Sequence, residues 1–460
     1  MMMHSFLEKI KQEAENLKKS DSTIRIISHL DADGISSAAI ITKALKRLNR
    51  KFALTVVKQL SSITLSQFKL ESYKVFLFVD LGSGNLAEIK EAINAKKIII
   101  LDHHQPQKIE NDFIHLNPML FGLDGNKDVS GAGLAYLFAK SLDEKNKDLS
   151  TLALVGAIGD NQDSGGFTSI NKIILEDAEP YLEIATGLRM FGTQTKPLYK
   201  ILQYSTDPYI PGITGNERAA KEFLQELNIS PEKKLIHLNE NEMKNLVTSI
   251  ILQRLGSEEN PDDVLGPVYL LKSEQEESPT RDLREFATLL NSCGRLNKYS
   301  LGIAACMHDK NLKQAAINVL NEYKKEIIYS LNWFYSNKEK RIELENLVII
   351  NAEGHIKDTI IGTLTSMIAK SNLYPENTVI ISLAHSADEN TKISIRCSDC
   401  KNKNINLKEF LDSITSKMGF QAGGHRNAAG ALIPQEREAE FIELAKSFSE
   451  EKNNNFINRF

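Results

Sequence analysis

The chain has 460 residues, too many for one ordinary core, so two or three domains are expected. Its 42% hydrophobic and 25% charged content is that of a globular protein and excludes collagen, coiled coil and wholesale disorder. A formal charge of -4 excludes a wholly basic coat, although a local basic groove is compatible with it.

The opening MMMHSFLEKIKQEAENLKKS carries charges at helical spacing and lacks the apolar run and small-residue cleavage site of a secretory signal. Later apolar runs such as Val75 to Val79 fall far short of the ~20 residues that cross a bilayer. The expected location is cytoplasmic, with no membrane contact. Short β-branched runs then alternate with helical patterns: strands are expected at Ile24 to Ile27, Ala53 to Val57, Val75 to Val79 and Ile98 to Leu101. Ile35 to Leu48 has helical spacing and suits a right-handed crossover between the first two. Such continuous apolar strands belong to a parallel sheet buried on both faces.

Near Asp207 the turn-rich DPYIPGITG opens a segment of amphipathic helices and acidic loops. Lys310 to Leu344 contains no proline or glycine and reads as one long helix. Strands return near Leu347 to Ile350, Val379 to Leu383 and Lys392 to Ile395. The expected fold class is therefore α/β: a parallel-sheet domain over 1–205, an inserted and mainly helical middle domain over 206–309, a linking helix over 310–344 and a second α/β domain over 345–460. Of four cysteines, Cys397 and Cys400 form a Cys-x-x-Cys pair. A zinc site would need Cys293 and Cys306 brought to it by the fold; otherwise these are core or incidental thiols.

The chemistry concentrates at strand ends. Ser-His-Leu-Asp-Ala-Asp-Gly follows the first strand and places His29, Asp31 and Asp33 on one tight loop. The third strand ends at Asp80, and the fourth at Asp102, His103 and His104. Leu152 to Ile158 finishes in Gly-Asp and presents Asp160. One aspartate at a strand end is usually a helix cap or turn residue, and a histidine pair is often only a solvated loop. Recurrence at the carboxyl edge of three strands is different, because so many acids would repel one another without cations. Carboxylate-rich sites with few imidazoles favour Mn2+ or Mg2+, and two such ions suit hydrolysis of a phosphodiester or phosphoanhydride.

Taken in order, His29-x-Asp31-x-Asp33, Asp80, Asp102-His103-His104 and Asp160 resemble the four motifs of the DHH phosphoesterase superfamily. Gly423-Gly424-His425-Arg426-Asn427-Ala428-Ala429-Gly430 is similar to the signature of its DHH-associated substrate-binding domain. The resemblance implies two Mn2+ ions, with Mg2+ as substitute. Asp80 would bridge them, His29 and Asp31 would hold one, and Asp33, His103 and Asp160 the other. His104 would act on the scissile phosphate or leaving group, and Asp102 would orient an imidazole. Gly423, Gly424, His425, Asn427 and the nearby Arg396 would bind substrate phosphate, through close backbone approach and a bidentate guanidinium. A surface salt bridge is the bland alternative for Arg396.

Within the superfamily, EFATLLNSCGRLNKYSLGIAA and DPYIPGITGN resemble archaeal RecJ-like proteins, including the GINS-associated nuclease. That implies exonuclease action on single-stranded DNA or RNA in replication or repair, with the GINS complex as a partner docking on the insertion. Two rival functions use the same fold: hydrolysis of oligoribonucleotides, cyclic dinucleotides or other small phosphoesters, and a replisome scaffold that has lost its metals. Polarity, choice of nucleic acid and oligomeric state leave no trace in these residues.

Overall fold

The central N-terminal strands are continuously apolar, so both faces of each must be covered. In a computed structural model, residues 2–110, 112–205, 208–255, 260–307, 309–371, 373–398 and 405–452 are described. The chain divides into two compact units, Met1–Asn321 and Glu322–Phe460. In the first, β1 (Ile24–His29), β2 (Phe52–Val57), β3 (Val75–Val79), β4 (Lys97–Leu101) and β5 (Ile114–Leu116) form a parallel sheet of order β2-β1-β3-β4-β5. Ile26, Leu77, Val79, Ile99 and Leu101 face one core, with the helices Met2–Lys18, Ala32–Arg47, Gly131–Leu142 and Ser150–Gly159. Ile27, Phe76, Phe78, Ile98 and Ile100 face the other, under Ser62–Phe68 and Leu86–Ala92. The expected α/β class is observed, with all four expected strands present.

The connection from β1 runs outward to β2 and then back across β1 to β3. Between β1 and β3 the order reverses, which opens the crevice where such sheets bind ligands.

The middle segment is enclosed by an antiparallel ribbon, β6 (Leu182–Leu188) with β7 (Leu265–Leu271), and has its own core of Leu198, Leu202, Leu224, Leu246, Ile250 and neighbours. The expected limits of 206–309 are corrected at both ends. Arg189 N–H donates to Val264 O at 2.8 Å, so the insertion closes there, ahead of the turn-rich passage. Leu283–Arg295 and Tyr299–Cys306 return to the N-terminal core, burying Leu283, Phe286, Leu290, Cys293 and Cys306. Turn chemistry marked surface loops, whereas which core an amphipathic helix faces is decided by packing. Burial in that core pushes the Cys293 thiol up to about 12. Cys400 lies outside the described residues.

The long helix runs Lys310–Ser336, ending before the expected 344, and β8 (Arg341–Glu343) follows. The second unit holds a six-stranded mixed sheet, β12-β13-β11-β10-β9-β8, with β9 (Leu347–Asn351), β10 (Val379–His385), β11 (Asn390–Cys397), β12 (Gly423–His425) and β13 (Ala428–Pro434).

A buried carboxyl outside the sheet's crevice gives this fold a pH signature. Glu285, 1% exposed, accepts from Gln194 N–H at 2.8 Å and the Thr195 hydroxyl at 2.6 Å, tying the insertion's first loop to Leu283–Arg295. Burial, with neighbouring Asp282 adding to it against those hydrogen bonds and Lys196, pushes its carboxyl up to about 7. The folded state therefore holds this proton more tightly than the unfolded chain. Its contribution is fully present below about 4.5, the unfolded value, and is lost as pH rises through about 7. Glu285→Gln is expected to flatten this slope, giving higher stability than the parent at pH 8 by on the order of 3 kcal/mol; urea unfolding across that range measures it.

Candidate metal centre

Side chains from four segments meet at the β1/β3 crevice. His29 ends β1, and its Nδ1 lies 2.9 Å from Asp31 Oδ2 and 3.5 Å from Asp80 Oδ2. Asp31 caps the Ala32–Arg47 helix, accepting from Gly34 N–H at 3.0 Å through Oδ1, which leaves Oδ2 turned to the imidazole. Asp33 is fully buried and takes two amide hydrogens at the start of the Gly131–Leu142 helix, from Gly131 at 2.6 Å and Ala132 at 2.9 Å. The positive end of that helix supports a negative charge which burial opposes.

Asp80 sits at the carboxyl end of β3 with φ +60°, a left-handed conformation uncommon for a side-chain-bearing residue. Its backbone is pinned by donation to Leu101 O at 2.8 Å, while neither carboxylate oxygen has a hydrogen-bond partner among the described residues. His103 bonds Gly125 O at 2.6 Å through Nδ1. That fixes the tautomer and leaves Nε2 as the inward atom, 3.4 Å from Asp80, 3.6 Å from Asp33 and 3.2 Å from Asp160.

Ligand atoms fall into three groups within 4.8 Å: His29, Asp31 and Asp80; Asp33, His103 and Asp160; and Asp80, His103 and His104. Asp80 and His103 each belong to two. Buried oxygens of Asp80 without partners, and the His29 and His103 ring nitrogens in the same state, fit cations supplied from outside the chain. Two carboxylates at 4 Å repel by on the order of 4 kcal/mol at an effective dielectric of 20. Burial and the charges of Asp80 and Asp160 accordingly raise Asp33 well above the usual carboxylate range. Burial also raises Asp160, against its bond with His103. For the imidazoles of His29 and His103 burial acts downward, but the surrounding carboxylates overturn it and raise both.

His104 points differently. Its Nδ1 lies 2.7 Å from Asp102 Oδ1, and its ring is partly exposed. Burial lowers its proton affinity, yet the Asp102 charge overrides this and raises it. The six expected metal residues and the His104–Asp102 pair are thus brought together. The expected phosphate-binding residues all lie in the second unit. Arg396 is within β11, where Nε donates to Ser366 Oγ at 2.8 Å and Nη1 to Ile395 O at 2.8 Å. Gly423 and Gly424 form β12, Gly424 with φ +116°, and Asn427 is exposed. Of His425 only the backbone is described.

Several contributors carry no chemical signal in sequence. Asn291 Oδ1 accepts from Ala32 N–H at 2.9 Å, holding the peptide between Asp31 and Asp33 from a helix far along the chain. Gly294, one turn later, approaches so closely that a Cβ would lie 1.8 Å from Leu30 O. Gly294→Ala is expected to cost about 1–3 kcal/mol or more and to weaken Mn2+ binding, as urea unfolding and calorimetry would report. Arg284 pairs with Asp163, just beyond Asp160. A cue existed only in retrospect, as LLNSCGR joins a helical pattern to polar residues on one face.

Comparison with known proteins places this geometry. The DHH family, N-terminal domain, matches residues 23–158, the DHH-CID domain 190–264 and the DHHA1 domain 344–451. An uncharacterized protein of Methanocaldococcus jannaschii is 33% identical over 431 residues, 91% of each chain. The single-stranded-DNA-specific exonuclease RecJ of Thermus thermophilus is 29% identical over 157 residues, 32% of this chain and 23% of RecJ. The crystal structure of that organism's RecJ with Mn2+ aligns with TM-score 0.60 at 16% identity, over 97% of this chain and 55% of RecJ. CDC45 from Entamoeba histolytica aligns with TM-score 0.64 at 13% identity, over 97% of this chain and 99% of CDC45.

Proposed function

The chain belongs to the DHH superfamily as a RecJ-like protein, and from that premise we propose that it is a two-metal exonuclease removing terminal nucleotides from single-stranded nucleic acid. The observation that carries this reading is the sharing of Asp80 and His103 between adjacent ligand groups. His29, Asp31 and Asp80 would hold one Mn2+ or Mg2+, and Asp80, Asp33, His103 and Asp160 the other. When bound, such cations supply an activated water and neutralise charge on the attacked phosphate.

The chain's own groups do the rest. Asp33 is oriented by two amides, and His103 by Gly125, so their ligand atoms are fixed before any ion arrives. Asp102 bonds Nδ1 and favours the charged form of His104, whose Nε2 would carry the proton donated to the departing oxygen. Arg396 and the Gly423–His425 backbone would bind phosphate of the substrate. By the same resemblance, the insertion is the docking surface for GINS.

End-labelled single-stranded DNA and RNA, from dinucleotides upward and with or without a 5′ phosphate, test the reading in Mn2+. Stepwise shortening of long strands is the expected result, with duplexes resistant. Cleavage confined to dinucleotides or cyclic dinucleotides would replace it with the small-substrate function, and no hydrolysis of any substrate with the scaffold.

A further inference from the structure

Behind His104 lies a hydrogen-bond network built from Asn117, Ser83, His115 and Asp102. Asn117 follows β5 and is completely buried. Its Oδ1 accepts from Met119 N–H at 2.9 Å, capping the turn Pro118–Phe121, and its Nδ2 donates to two groups at once: the His104 carbonyl and the Ser83 hydroxyl, each at 2.8 Å. Both Nδ2 hydrogens and the Oδ1 oxygen of the amide are thereby engaged.

Ser83 is also completely buried. Its hydroxyl accepts from Asn117 and is hydrogen-bonded to His115 Nε2 at 2.8 Å, in a direction set by the imidazole tautomer; burial lowers His115. The Ser83 amide donates to Asp102 Oδ2 at 2.8 Å, while Asp102 Oδ1 takes the His104 ring at 2.7 Å and the His104 amide at 3.2 Å. His104 is thus gripped twice, by Asp102 at its ring and amide and by Asn117 at its carbonyl. The two grips are joined through Ser83.

We propose that Asn117 is a positioning residue for His104, fixing the imidazole through its carbonyl directly and through Ser83 and Asp102. This rests on the reading of His104 as the proton donor. A turn cap alone would not need the Nδ2 contacts, and satisfied buried networks hold their members to one geometry.

A double-mutant cycle separates positioning from general support of the fold. Asn117→Ala is expected to lower kcat by about 10–100-fold, with KM and Mn2+ affinity, measured calorimetrically, unchanged. In a His104→Gln background the same substitution is expected to have almost no further effect. Equal losses in both backgrounds, or a parallel loss of Mn2+ binding, would overturn the proposal and leave the proton-donor reading standing. If His104→Gln alone costs nothing, that reading falls and takes the proposal with it. Should Asn117→Ala not fold, Ser83→Ala removes only the linking hydroxyl; a smaller kcat loss that vanishes without His104 is the expected result, and a loss independent of His104 overturns the proposal.

Discussion

Asp80→Asn is expected to remove nearly all of the proposed Mn2+-dependent phosphodiester hydrolysis while making the metal-free protein harder to unfold. Both effects have one origin. Asp80 stands in two ligand groups, and its oxygens are buried without a hydrogen bond among the described residues. An amide in its place is a poor ligand, so the pair of cations loses its shared anchor and at least about a thousandfold in rate, near 4 kcal/mol of transition-state stabilisation. Without ions, the amide relieves repulsion against Asp33 and Asp160, and asparagine tolerates the left-handed backbone at φ +60° at least as well. The expected gain is about 1–3 kcal/mol, the usual penalty of an unsatisfied buried polar group. Thermal unfolding in chelator reports it, beside a hydrolysis assay in excess Mn2+. A variant that keeps measurable turnover, or that unfolds more easily in chelator, contradicts the assignment.

The second large effect separates proton donation from metal binding. His104→Gln is expected to lower kcat by about 10²–10⁴-fold with little change in Mn2+ affinity, because His29, Asp31, Asp33, Asp80, His103 and Asp160 all remain. Glutamine retains a polar end near Asp102 but cannot carry the transferable proton. The loss should shrink for a substrate whose departing group is a good leaving group, such as a nitrophenolate ester, which needs no proton. Undiminished loss on that substrate, or a collapse of Mn2+ binding, would make His104 a ligand instead.

Much of this centre is written into local sequence. Strands such as Val75–Val79 announce themselves by continuous apolar runs, and each ends on a side chain with obvious chemistry, so Asp80 and Asp102 could be placed at one sheet edge without a structure. Asn117, Asn291 and the Gly131 and Ala132 amides could not. Their work is done by a backbone amide or a common carboxamide, and its value depends on tertiary approach that no periodicity encodes. The insertion's limits escaped for a related reason: β6 and β7 pair across more than seventy residues, and nothing in either strand names its partner.

The reach of Asn291 back to Ala32 sets an order on biosynthesis. Every ligand has left the ribosome by Asp160, yet the peptide carrying Asp31 and Asp33 gains its clamp only when Leu283–Arg295 emerges, roughly ten seconds later at ordinary elongation rates. A nascent chain therefore passes that interval without the Asn291 hydrogen bond on the loop between Asp31 and Asp33.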